Sequence, residues 1–224
     1  MSGGLAIFVK TPGLSTVKGR LAADCGRIYA EVWYRRAAAA VAAVAAAART
    51  RFDLTAYWAV AEDAAADAWP GLPVLAQGEG GLGERMARVH ARLVAEHGCG
   101  LLLGADAPQL SLEQIGAAAD WLDAPTPRLA MGPACDGGFW LFGGNVAPAP
   151  ATWTSVRYSA ADTARELRAA FAGCGEWRIL ETLTDGDRAA DLHEVLAALE
   201  ALPAPLPEQA ALAAWMREYE EVLP

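Results

Sequence analysis

Cysteine is scarce and badly spaced for structural use: Cys25, Cys99, Cys135 and Cys174 stand far apart and form no C-x-x-C pair. That spacing excludes a thiolate zinc cluster or a disulfide framework and suits a reducing, cytoplasmic setting. Basic charge is also short. Against 27 Asp and Glu there are 18 Lys and Arg, a net charge of −9. A nucleic-acid partner, which needs a broad basic face, is therefore excluded, while a few local cations remain enough to hold a nucleotide. No long apolar run is present. The longest, Ala37 to Ala48 between Arg36 and Arg49, is too short and too weakly hydrophobic to span a bilayer. Met1 to Lys10 lacks the basic, apolar and cleavage segments of a secretory signal, so no membrane association is expected. The three histidines, His90, His97 and His193, fall into no Ser-His-Asp or Cys-His constellation.

What the chain does have is apolar material, 54% of its residues, much of it alanine, in alternating short runs and helical stretches. Gly4–Val9 reads as a buried first strand that ends at a Thr-Pro-Gly break, followed by a polar loop. Arg27–Arg51 is an Ala-rich helix, and Leu54–Val60 and Leu72–Ala76 are strands two and three. Glu84–His97 has the apolar spacing of a helix through Met86, Val89, Leu93 and Val94. Gly100–Gly104 is a fourth strand. Ser111 with Gln114 makes a capping box for a helix through Leu122. Leu129–Pro133 and Phe139–Phe142 are two strands around Asp136-Gly137-Gly138, and Glu176–Leu180 is the last strand. Ser159 is expected to cap a helix to about Phe171, Asp187 to cap one over Arg188–Leu202, and Pro207 to open the final one. This alternation predicts a single α/β domain over residues 1–224, with a mostly parallel central sheet and helices on both faces. In such a sheet ligands bind beyond the carboxyl ends of the strands, so the residues after Val9, Ala76, Gly104 and Pro133 and those near Leu180 matter most.

The first of these loops carries Lys10, Lys18 and Arg20, a cluster of cations on an acidic chain. It fits a phosphate-binding loop or a merely solvated one, and it lacks Walker A spacing. Gly78-Glu79-Gly80-Gly81-Leu82-Gly83 has the letters of a dinucleotide fingerprint, but it follows the third strand and places Glu79 against a pyrophosphate. A turn feeding a helix is the better reading. Asp106 follows an apolar strand and precedes Pro108; it is either a turn former or one of the carboxylates that Mg²⁺ or Mn²⁺ takes alongside substrate phosphates. Asp136 belongs to a hairpin turn or faces a ligand across flexible glycines. Asp185, Asp187 and Asp191 cluster before a late helix, where Asp187 serves as N-cap or as metal ligand. The eight tryptophans are scattered and mostly core, with Trp140 and Trp153 as candidates to line a substrate pocket.

Five segments taken in order carry a resemblance: A-I-F-V-K-T-P-G-L-S-T-V-K-G-R-L, G-L-G-E-R-M, L-L-L-G-A-D-A-P, M-G-P-A-C-D-G-G-F-W-L-F-G and T-D-G-D-R-A-A-D-L. Together they span Ala6 to Leu192. They resemble a small bacterial transferase family of glycosyltransferase-A fold, associated with selenium or arsenosugar biosynthesis. That family is distantly related to the molybdenum-cofactor and phospholactate nucleotidyltransferases. The resemblance implies that Lys10, Lys18 and Arg20 approach nucleotide phosphates and that Gln77, with the loop from Gly78 to Gly83, sits near the base or sugar. It further implies that Asp106 and Asp187 hold a divalent metal and that Asp136 faces the acceptor or sugar. Gly19, Cys135 and Phe139 depart from the usual Thr, acidic residue and Tyr. The expected activity is sugar transfer from a nucleotide-diphosphate donor to a small acceptor. Nucleotidyl transfer from a triphosphate to a phosphorylated small molecule is the alternative, and a nucleotide binder without catalysis is the third reading. The oligomeric state is not legible from these residues.

Overall fold

The computed structural model describes residues 2–220; Met1 and residues 221–224, counted in the expected 1–224 domain, lie outside the described residues. Seven strands form one sheet in the order β3-β2-β1-β4-β6-β5-β7. They are β1 (Gly3–Val9), β2 (Leu54–Val60), β3 (Val74–Ala76), β4 (Gly100–Gly104), β5 (Arg128–Pro133), β6 (Phe139–Gly144) and β7 (Glu176–Ile179). All run in one direction except β6, which lies antiparallel between β4 and β5. The chain first builds outward from β1 through β2 to β3, then crosses to add β4 on the other side of β1. The carboxyl ends of β1 and β4 therefore flank the point where the strand order reverses, the crevice at which such sheets bind ligands.

Helices cover both faces because the strands alternate. Leu5, Ile7, Leu101 and Leu103 point to one core, with α2 (Arg27–Phe52), α4 (Leu112–Leu122), α7 (Ala189–Glu200) and α8 (Pro207–Glu220). Ala6, Leu102, Met131 and Phe142 point to the other, with α3 (Leu82–His97), α5 (Pro150–Thr154) and α6 (Thr163–Ala170). This is the two-sided burial that makes strands of a parallel sheet read as continuous apolar runs. The small alanines of α2 let that long helix lie close against the sheet, with Ala37, Ala38, Ala40, Val41, Val44, Ala45 and Ala48 buried. Among the described residues no helix is long and apolar enough to cross a membrane, and all four cysteines are free.

Three local expectations are corrected. The polar loop before α2 contains a short helix, α1 (Gly19–Cys25), entered through Lys18 in a left-handed conformation with φ 47°. Ser159 does not cap α6: it too has a positive φ, 58°, and the helix begins only at Thr163 after Asp162. Asp187 does not cap α7. The Asp191 carboxylate accepts the N–H groups of Asp187 (3.1 Å) and Arg188 (2.7 Å), which frees the Asp187 carboxylate to turn elsewhere.

Candidate active site

Strand β4 ends at Gly104, and the next two residues deliver Asp106 to the crevice while Ala107 is fully buried. The segment 183–187 is laced to this point from two sides. The Gly186 N–H donates to the Asp106 carbonyl (3.2 Å), and Gln109 Nε2 donates to the Thr184 carbonyl (2.6 Å). Toward the β5–β6 hairpin, the Cys135 N–H donates to the Leu183 carbonyl (3.0 Å). Gly186 sits under the buried Trp33 ring, where any Cβ would collide with the indole. These restraints bring Asp106, Asp185 and Asp187 together, with one carboxylate oxygen from each lying within 4.8 Å of the others.

Lys18 reaches into the same cluster. Its ammonium donates to Asp106 Oδ2 at 2.8 Å and Asp187 Oδ1 at 2.5 Å, and lies 5.6 Å from the centre of the Trp33 ring. Its side chain is only 5% exposed. Burial works against the charge, but the Asp106 and Asp187 carboxylates outweigh it and hold the lysine above its ordinary pKa. Asp185 accepts no such bond from a cation among the described residues, and the nearby Lys18 charge offsets its shift only in part. Burial, followed by the like charges of Asp106, Asp136 and Asp187, pushes its carboxyl up to about 7. Arg20, 58% exposed, reaches Asp187 Oδ2 at 3.5 Å.

The acidic cluster stands where two cavities meet. One is lined by Lys10, Val17, Lys18, Tyr34, Gln77 and Asp106, among others. Its walls are tied down: the Lys10 N–H donates to the Tyr34 hydroxyl (3.1 Å), and the Thr11 N–H to Glu62 Oε2 (2.9 Å). The other cavity, about 260 Å³, lies beyond Asp106 under the β5–β6 turn, with Phe8, Met86, Phe139, Trp140 and Tyr158 in its wall. Asp136 borders it, positioned by the Gly138 N–H, which donates to Asp136 Oδ1 (2.7 Å). Gly137 adopts φ 90° and packs against the Ala161 backbone, and its carbonyl accepts the Ala164 N–H (2.9 Å), so the turn is clamped to α6.

The residues singled out in the sequence therefore divide. Lys18, Asp106 and Asp187 meet directly, Asp136 faces them across the second cavity, and Lys10 lines the first. Gln77 lines the first cavity too, but its amide is buried and donates to the Val9 and Ala59 carbonyls (3.2 and 2.9 Å), which joins β1 and β2. Gly78 and Gly83 border neither cavity, whereas Leu82 between them borders both. Gly83 is packed beneath the Trp153 carbonyl and Tyr158, where it lets α3 approach α5. Trp140 lines the second cavity, while Trp153 is fully buried in the core. Asp185 is the residue that sequence reasoning undervalued. Its signal was there, an acidic residue two positions before Asp187, but nothing local says that the segment folds back onto Asp106.

Residues 36–160 match the family described as "Uncharacterized protein conserved in bacteria (DUF2064)". No curated protein matches the chain. Among solved structures, a protein from Desulfovibrio desulfuricans G20, provisionally called a nucleotide-diphospho-sugar transferase, superposes with a TM-score of 0.82. The two are 24% identical, and the match covers 98% of this chain and 99% of that one. The 4-diphosphocytidyl-2C-methyl-D-erythritol synthase from Anaerococcus prevotii DSM 20548 matches with a TM-score of 0.50 at 10% identity, over 89% of this chain and 99% of that one. These likenesses establish the fold: a single α/β domain of the nucleotide-diphospho-sugar transferase type.

Proposed function

The chain belongs to the DUF2064 family, and from its crevice we propose that this member is a divalent-metal-dependent transferase using a nucleotide-activated donor, transferring a sugar from a nucleotide-diphosphate sugar to a small acceptor. The carrying observation is the convergence of Asp106, Asp185 and Asp187 at the carboxyl end of β4, between a cavity that holds Lys10 and Lys18 and one that holds Asp136. Three carboxylates with oxygens this close repel one another, and Lys18 meets only two of them. An all-oxygen, anionic donor set of this kind fits a hard cation, Mg²⁺ or Mn²⁺, held by these three residues. When bound, the cation offsets negative charge on a leaving diphosphate.

The chain's own groups account for the rest. Lys10 and Lys18 face the donor's phosphates and favour the charge that grows there as the bond to the sugar breaks. Asp136 takes the proton of the acceptor hydroxyl as its oxygen bonds to the anomeric carbon. The electron pair of the broken bond leaves with the nucleoside diphosphate. Walls of Phe8, Phe139 and Tyr158 keep water from competing with the acceptor.

Nucleotidyl transfer is the second reading, favoured by the two lysines of the first cavity, because a triphosphate carries more charge for them to meet. Incubation with a set of nucleotide-diphosphate sugars and of nucleoside triphosphates, with Mn²⁺, separates the two. Release of a nucleoside diphosphate from a sugar donor supports sugar transfer. Release of pyrophosphate supports nucleotidyl transfer. Tight binding without either release leaves a nucleotide-binding protein that does no chemistry.

A further inference from the structure

The two halves of the crevice differ in charge, and the difference bears on what the second half accepts. Among the described residues, the lysines that border the crevice, Lys10 and Lys18, line the first cavity. Among the described residues the second has no Lys, Arg or His in its wall, yet Asp106, Asp136, Asp185 and Asp187 all border it. Most of the remainder of that wall is apolar or aromatic, with Phe8, Met86, Leu102, Phe139, Trp140 and the ring of Tyr158; its other polar side chains are Ser159 and Thr163, and the Thr163 hydroxyl already donates to the Arg157 and Ala160 carbonyls. Lys18 is committed to Asp106 and Asp187 at the boundary, with little of its side chain exposed, and so does not turn to serve a ligand in the second half.

Phosphate recognition calls for Arg, Lys or a cluster of free backbone N–H groups. Here two backbone donors of the wall are already taken, the Gly138 N–H by Asp136 and the Ala160 N–H by Thr163 Oγ1. A phosphate in this half meets like charge with no cationic side chain among the described residues of the wall to hold it, and the cation proposed at Asp106, Asp185 and Asp187 is already engaged by those carboxylates and by the donor's own phosphates.

Building on the transferase reading, we infer that the acceptor is not phosphorylated: the second cavity takes a small neutral or cationic molecule whose ring or short chain lies on Phe8, Phe139 and Tyr158 and whose hydroxyl or amine points to Asp136. The volume, about 260 Å³, falls just below the ~300 Å³ at which pockets for drug-sized ligands begin, so the molecule is small. Such a pocket selects against joining a nucleotide to a phosphate ester.

The test uses the full chain with Mg²⁺ and three probes that differ mainly in charge: tyramine, 2-phenylethanol and phenyl phosphate. Binding is followed through the methyl signal of Met86, which lines this cavity and not the first. Tyramine and 2-phenylethanol are expected to shift that signal at concentrations at least about tenfold lower than phenyl phosphate, the equivalent of one unfavourable charge contact of ~1.4 kcal/mol. The variant Ala160→Lys, which adds a cation to the same wall, is expected to narrow or reverse the order. Phenyl phosphate binding as tightly as the others to the unaltered protein overturns the inference, as does the failure of all three probes to move Met86. A parallel titration with nucleotides keeps the two claims apart. If nucleotides fail while the probe order holds, the transferase reading falls and the charge preference of the cavity stands. If nucleotides bind and phenyl phosphate is preferred, the reverse is true.

Discussion

Lys18 is the residue on which the electrostatics of the crevice turn. It is buried, doubly bonded to Asp106 and Asp187, and set in place by a left-handed backbone at the entry to α1. Lys18→Met removes the buried cation from the three carboxylates, leaving only the exposed Arg20 against Asp187 among the described residues, while keeping the bulk of the side chain. Because a charge-assisted hydrogen bond is worth ~1.5–3 kcal/mol, donor affinity is expected to fall by at least tenfold, measured by titration of the donor that the turnover assay identifies. Asp106→Asn leaves the shape intact and removes a charge from the proposed cation site. Metal-dependent turnover is expected to drop by two orders of magnitude or more, with an unchanged circular-dichroism spectrum. Near-normal turnover in that variant would remove Asp106 from the chemistry. At this scale the sequence was informative about which side chains lie at strand ends and silent about their partners. Asp106 was legible because an apolar run delivers it and Pro108 stops it. Asp187 was read equally as a cap, because a carboxylate just before a helix is the usual capping arrangement. Only the fold shows Asp191 accepting both N–H groups and Asp187 turned to Lys18.

Among the elements, the β5–β6 turn is the piece whose geometry most constrains the site. Gly137 holds a φ that L side chains rarely adopt, and a Cβ there runs into the Ala161 carbonyl. Gly137→Ala is therefore expected to cost ~1–3 kcal/mol from the backbone conformation alone, seen as a lower midpoint in thermal unfolding. A larger proportional loss of activity is expected, since the same turn carries Asp136. At α4 the capping box is complete: Ser111 Oγ accepts the Gln114 N–H (3.1 Å), and Gln114 Oε1 accepts the Ser111 N–H (2.8 Å). Ser111→Ala is expected to cost ~1 kcal/mol, without effect on ligand binding. Elements of this kind were readable because their signals are local. Strands β2 and β4 have the bounds their apolar runs predict, and α4 begins directly after its cap. Helices α1 and α5 were missed because each is short, seven and five residues, and buries a single side chain, Leu21 and Trp153. No periodicity can develop over such lengths. Helix α6 starts later than expected because Ser159 takes a positive φ and the chain makes another turn, in which Thr163 Oγ1 accepts the Ala160 N–H (3.1 Å), before it coils.

Across the whole molecule, two cores on opposite faces of one sheet support a crevice at the carboxyl ends of β1 and β4, and the second core contains a titratable group. His90 on α3 is completely buried against Phe142 and Trp153. Burial lowers its pKa from 6.5 to about 4. In the folded chain it stays neutral down to about pH 4, whereas the unfolded chain takes up the proton near 6.5. Unfolding therefore binds a proton within that window, and stability falls as the pH drops from about 6.5 toward 4, by at most ~1.4 kcal/mol per pH unit from this group. Above about 6.5 both states are neutral, and this contribution vanishes. His90→Leu is expected to flatten the dependence across that window in denaturant unfolding, and an unaltered slope would show that His90 is not its source.

The order of strands and helices, and hence the single α/β architecture, could be read from the chain, because alternating apolar runs leave few other topologies. What could not be read is that residues from 18 to 187 converge: Lys18, Asp106, Asp185 and Asp187 are joined only by the crossover from β1 to β4 and the return of the 183–187 segment. The claim that depends most on this convergence is that the crevice holds a nucleotide through a divalent cation at the acidic cluster. Calorimetric titration of nucleoside triphosphates and nucleotide-diphosphate sugars into the full chain, with Mn²⁺ and again with excess chelator, tests it directly. The account predicts binding of at least one nucleotide that needs Mn²⁺ and is lost in Asp185→Asn. Binding that is indifferent to the metal, or none with any nucleotide, would contradict it.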